Sequence, residues 1–186
     1  FDFQFNGIWA RAAWLYFGKE EYPKAAKIFE RLAKNDENET SADNWKMCEA
    51  IAYSKAGDYE KAELIELSCL NFRKSQLKKN ANQDGRLVSA ALRNLGQNAM
   101  YWAEISSAKE QRNRFDKAVV FFEQAIDLLK SIDADIFDSP GDKKNYIEFN
   151  IDKVDYCRLR QKLSNIFTLY TDEIQIRERL TDLLSI

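Results

Sequence analysis

The stretch Gly57-Asp58-Tyr59-Glu60-Lys61-Ala62-Glu63-Leu64 decides how the chain is read. It has two relatives, Tyr22-Pro23-Lys24-Ala25 with Phe29 behind it and Phe115-Asp116-Lys117-Ala118 with Phe122 behind it. In each, an aromatic residue opens a helix, Lys-Ala follows two residues later, and an apolar stripe runs on at helical spacing. Tyr22 and Tyr59 stand as far apart as Tyr16 and Tyr53, so the first two copies share one period. A recurring unit that cannot bury its apolar face alone is the mark of a stacked array.

Composition agrees. With 2 prolines and 6 glycines in 186 residues, little interrupts a chain rich in Ala, Leu, Lys and Glu, which is an all-helical balance. The 28 basic and 30 acidic residues leave −2, too little field to gather nucleic acid or an anionic membrane. No apolar run approaches the ~20 residues of a membrane helix. There is no histidine, which removes the Ser-His and Cys-His nucleophiles, the His-containing zinc sites and the commonest general base. Cys48, Cys69 and Cys157 are odd in number and set in apolar helical pattern, so they read as buried thiols of a reducing, cytoplasmic setting.

Taken in order, Phe1-Asp2-Phe3-Gln4-Phe5 suggests an extended arm with its rings on one side, and the absence of an initiator Met suggests a chain processed or cut from something longer. A helix is expected from Asn6 to Phe17, broken over Gly18 to Glu21, then a second from Tyr22 to Lys34 with Pro23 near its first position. Thr40 or Ser41 caps a third, which Gly57 ends, and Tyr59 to about Lys74 is its partner. Lys74, Lys78, Lys79 and Arg86 surround a solvated connection. A long helix follows from Arg86 to about Gln111, then a regular one from Phe115 to Ile132. Asp133 to Asp142 reads as an acidic turn, lacking the register and closing glutamate of a calcium loop. Lys144 to Ile186 reads as two helices broken near Tyr170-Thr171.

The pattern Trp9, Ala13, Tyr16, Tyr22, Ala25, Phe29 resembles the tetratricopeptide repeat, whose ~34-residue unit is a pair of antiparallel helices with small residues where they cross. The resemblance implies an all-α, right-handed α-solenoid of antiparallel helix pairs, about three repeats plus a C-terminal capping helix pair. It implies one domain over 1–186, with repeats at about 6–39, 43–76 and 99–132 and caps over 143–186. The crossings are then Ala13 with Ala25, Ala50 with Ala62, and Ser106 with Ala118. This chain departs from the family pattern where Glu37, Lys74 and Lys130 replace the closing proline, and where Glu66 stands in place of Phe29 and Phe122. Lys109 replaces the first-helix tyrosine of the third unit.

In the resembled family the first helices line a concave surface that takes the ligand. Carried over, the lining is Ala10, Arg11, Trp14, Phe17 and Gly18, then Asn44, Met47, Cys48, Ile51 and Lys55, then Met100, Ala103, Glu104 and Ser107. Ala10 and Trp14 stand where some members carry the lysine and asparagine that grip a peptide carboxylate, which argues against such a clamp. Arg11, Trp14, Phe17, Asn44, Met47, Ile51, Lys55 and Met100 are the candidate partner-binding residues. They form a mostly apolar strip suited to a peptide or an amphipathic helix, unless a terminal segment fills it. The leading expectation is a non-catalytic protein-interaction scaffold with no catalytic residues, no cofactor, no metal and no nucleic-acid partner. The alternative is a regulatory or dimerisation module of a larger signalling protein or enzyme, here a possible homodimer. An enzyme working through carboxylates alone has only Glu20 with Glu21 and the Asp133 to Asp142 run to offer, and both fall in turns that would not raise an acid's pKa.

Overall fold

A computed structural model describes the backbone of residues 2–77, 81–137 and 139–184, and the side chains of 7–77, 85–137, 139, 141–166 and 174–175. Among the described residues there are seven α-helices and no strand: α1 (Asp2–Gly18), α2 (Tyr22–Asn35), α3 (Glu39–Lys55), α4 (Tyr59–Leu77), α5 (Ala81–Ile105), α6 (Ala108–Ser131) and α7 (Pro140–Leu184). One 3-10 turn, Ala134–Ile136, precedes α7. Each helix packs on the one before it and the one after it, and α3 touches α5 only along a small part of its length. This is an all-α solenoid.

The core is strung out accordingly. Ala13, Ala25, Ala26, Phe29, Leu32 and Tyr53 form one buried cluster across α1, α2 and α3. Met47, Cys69, Leu70, Leu92 and Leu95 form a second across α3, α4 and α5. Met100, Phe115, Ala118, Phe122, Val154 and Cys157 form a third across α5, α6 and α7. Ala13, Ala25, Ala50 and Ala62 have no exposed surface, as expected of short side chains between closely approaching helices.

The turns inside the first two helix pairs have the same hydrogen bonds. In the second, Gly57 takes φ 85, its amide donates to Ser54 and that of Asp58 to Tyr53. In the first, Glu20 takes φ 61, its amide donates to Phe17 and that of Glu21 to Tyr16. The left-handed residue closes each helix by satisfying its last carbonyls.

The third pair turns elsewhere. Phe115 was expected to open a helix, and instead α6 begins at Ala108 and Phe115 lies fully buried within it. The helix α5 correspondingly stops at Ile105 and not near Gln111. Ser107 is the cap: its carbonyl accepts from the Gln111 amide at 2.7 Å and its hydroxyl donates to Glu110 at 3.1 Å. Nothing between Ala108 and Arg114 breaks a helix, so the helix propagates back to the serine. The third crossing is therefore not at Ser106, which lies past α5 and donates its hydroxyl to the Trp102 carbonyl. A close approach in this pair is at Gly96, where an added Cβ would come within 2.8 Å of the Phe122 ring.

Three further expectations are corrected. Residues from Asp2 onward belong to α1, so there is no extended amino-terminal arm; Phe1 and the rings of Phe3 and Phe5 lie outside the described residues. The connection after Lys74 is shortened by α4 running to Leu77 and α5 starting at Ala81, with 78–80 outside the described residues. The expected pair of closing helices is one helix, Pro140–Leu184, since Tyr170-Thr171 contains no residue that stops a helix. Pro140 sits at its first position, where a missing N–H costs nothing.

Candidate functional site

The first helices of the pairs, α1, α3 and α5, carry the candidate binding residues. On α1, Arg11 is exposed, Trp14 is 50% exposed and Phe17 is half-buried. Trp14 stands edge-on to Phe17 at 5.7 Å and to Phe29 at 5.1 Å, so an inner ring fixes an outer one whose other side meets solvent. On α3, Asn44 and Lys55 are exposed and Ile51 is half-buried. The Lys55 ammonium lies 5.0 Å from the Tyr101 ring centre on α5.

Two of the candidates are corrected by their burial. Met47 is 6% exposed among Cys69, Leu70 and Leu92, and Met100 is 5% exposed among Phe115 and Phe122. Both are core. Ala103 is fully buried as well, and Glu104 accepts from Tyr156 at 2.7 Å and Arg160 at 2.5 Å, tying α5 to α7. The third unit's lining was misplaced because its register was taken from Phe115. What α5 turns toward α3 is Asn94, Gln97 and Tyr101. The available signal was Ser107 followed three residues later by Glu110, a helix-start pattern that fixes the turn.

Between α3 and α5 lies a cavity of about 190 Å³ lined by Ile51, Ser54, Lys55, Asn94, Gln97 and Tyr101, with Glu66 of α4 in its wall. Glu66 is 1% exposed; burial, with the charge of Glu63 second, pushes its carboxyl up to about 8. A second cavity of about 140 Å³ lies between α5 and α7, bordered by Arg86, Arg93, Phe137, Tyr146 and Asn150. Burial lowers the Arg93 pKa, and its guanidinium stands 5.5 Å from the Tyr146 ring and 5.8 Å from Phe149.

None of the three thiols is activated. Burial pushes the Cys69 and Cys157 thiols up to about 12 and that of Cys48 to about 11, away from the reactive thiolate. Among the described residues no group of His, Cys, Asp or Glu is placed to hold a metal ion, and no helix is long and apolar enough to cross a membrane. The acidic run from Asp133 forms the 3-10 turn and the start of α7, with Asp138 outside the described residues.

A comparison with curated proteins found no match to the chain. A tetratricopeptide-repeat family model matches residues 99–128, the end of α5, the Ser106–Ser107 turn and most of α6. Repeats of this kind suggest a scaffold for protein–protein interaction. The match, with seven helices packed one upon the next among the described residues, fits a tetratricopeptide-like helical repeat protein.

Proposed function

We propose that the chain is a non-catalytic scaffold that binds a peptide or an amphipathic helix of a partner protein along the face of α1, α3 and α5. The observation that carries this is Trp14, half exposed although its inner neighbour Phe29 is fully buried. Arg11, Asn44, Ile51, Lys55, Gln97 and Tyr101 continue the face with mostly polar groups around the Ile51 and Tyr101 side chains, which suits a segment with a few spaced anchors. The units are α1 with α2, α3 with α4 and α5 with α6, covered at one end by α7, and together they act as one domain. The bases on this face are too few and too scattered for a nucleic-acid track.

The test is selection of displayed random 12-residue peptides on the intact chain, followed by affinity measurement on Trp14→Ala and Tyr101→Ala variants. Selected peptides should lose about tenfold or more in affinity on each, because truncating an aromatic anchor typically costs over ~1.4 kcal/mol. Peptides that bind both variants as well as the parent would move the docking face elsewhere.

A second reading, a dimerisation module, is favoured by α7. Tyr156, Leu159, Leu163 and Ile166 are exposed at spacings of three and four, an apolar stripe along one side of a 45-residue helix. Light scattering during size exclusion decides this one: a dimer dissolved by Leu159→Glu with Ile166→Glu supports it, and a monomer across the micromolar range dismisses it.

A further inference from the structure

Glu66 occupies the place in its unit that the buried rings of Phe29 and Phe122 occupy in theirs. A carboxyl thus replaces a core ring in the wall of the α3–α5 cavity. Its Oε2 is buried with no hydrogen-bond partner. The neighbouring acid one turn earlier, Glu63, is paired with Lys117 of α6. The rest of the lining comes from Ile51 and from Ser54, Lys55, Asn94, Gln97 and Tyr101, polar residues whose stems leave the larger part of the surface apolar.

An apolar group placed there would leave the buried Glu66 oxygen unpaired, the most costly outcome for a buried polar atom. An anion would face the acid. A guanidinium brings five N–H donors in one plane to the carboxyl, carboxamide and hydroxyl oxygens, and is weakly hydrated, so it leaves water cheaply. Burial holds the acid protonated, so the incoming cation has to supply the charge that lets it ionise in place.

We propose that this cavity receives the guanidinium of an arginine side chain on the bound peptide, with Glu66 as its counter-ion. The assignment rests on the face of α1, α3 and α5 being the docking face. Lys55 is the gatekeeper: its ammonium rests against Tyr101 and repels the incoming cation until displaced along the ring. The titratable groups that share the cavity with Glu66 are Lys55 of α3 and Tyr101 of α5, and the charge that acts on it is that of Glu63 on α4 itself. Because Glu66 is protonated below about 8, taking up a cation releases a proton.

The probes are N-acetylarginine N-methylamide and its neutral isostere N-acetylcitrulline N-methylamide, titrated into the full chain while the side-chain amide NMR signals of Asn94 and Gln97 are followed. The arginine probe should shift both signals saturably, bind at least tenfold more tightly than the citrulline probe, and gain roughly tenfold between pH 6.5 and 8 as Glu66 ionises. Glu66→Gln should remove the charge preference and the pH dependence. Glu66→Phe, which restores the ring of the other units and fills the cavity, should fold and abolish the response. Lys55→Gln should tighten the arginine probe. Equal binding of the two probes, no saturable shift, indifference to Glu66→Gln, or weaker binding by Lys55→Gln each overturns the assignment. Failure of the probes sinks the cavity whatever the selected peptides do. Probes that bind while peptides ignore Trp14→Ala sink the docking face instead.

Discussion

Arg73 of α4 reaches Asp43 of α3 with a 2.6 Å contact between Nε and Oδ2, both side chains about 5% and 6% exposed. Its other nitrogens donate to the Leu87 carbonyl of α5 at 3.0 Å and to Asn44 at 3.3 Å. One guanidinium therefore joins the second pair of helices to the third. Truncating either partner strands the other charge in the interior, at about 3–5 kcal/mol. Asp43→Ala should lower the unfolding free energy from urea denaturation by that amount, and the double change Asp43→Ala, Arg73→Met should recover part of it. A double variant no more stable than Asp43→Ala would mean that the hydrogen bonds to Leu87 and Asn44, and not the stranded charge, carry the effect.

The matched turns at Glu20 and Gly57 predict opposite responses. Glycine tolerates the left-handed backbone, whereas a residue with a Cβ is strained there by about 1 kcal/mol. Glu20→Gly should raise the melting temperature by a few degrees and Gly57→Ala should lower it by a similar amount. Thermal denaturation followed by circular dichroism reads both, and changes of the same sign would show that the two turns are not equivalent.

Glu66 gives stability a pH dependence of unusual sign. Its folded value, about 8, lies above the ordinary 4.5, so the fold favours the protonated acid. That contribution is complete below pH 4.5 and is lost as pH rises through 8. Glu49, pushed up to about 7 by burial and then by Glu30, acts in the same direction. Stability should therefore fall from pH 5 to 8.5, and Glu66→Gln should gain on the parent across that window by on the order of 2–4 kcal/mol. A parallel pair of urea-denaturation profiles from pH 5 to 8.5 would contradict this.

Thiol chemistry offers an independent check on the core. Cys69 and Cys157 are buried with thiols pushed up to about 12, so a thiol reagent at pH 8 should leave them untouched in the native chain and modify all three cysteines in guanidinium chloride. Rapid native labelling of Cys157 would show that α7 leaves α6 readily.

The helix pairs were legible because their signals are local. An aromatic, Lys-Ala and a stripe sit within one helix, and Gly57 marks a turn that only a few residue types can make. The third pair was misread for the same reason. Phe115-Asp116-Lys117-Ala118 repeats the motif of a helix start, yet nothing before it stops a helix, so local propensity carried α6 back to Ser107. The error moved the binding lining by about two turns, to core positions such as Met100, and hid Gln97 and Tyr101. Glu66 could be seen as a departure from the repeat, but its unpaired oxygen depends on what α3 and α5 place around it.

The three successive clusters of buried side chains also set how the molecule would yield to force. Tension applied at the amino end loads α1 and α2 first, whose cluster is shared only with α3 and a little of α4, while Arg73 clasps the next joint. The chain would lengthen in steps, one helix pair at a time, with the Arg73 clasp resisting the separation of the second pair from the third.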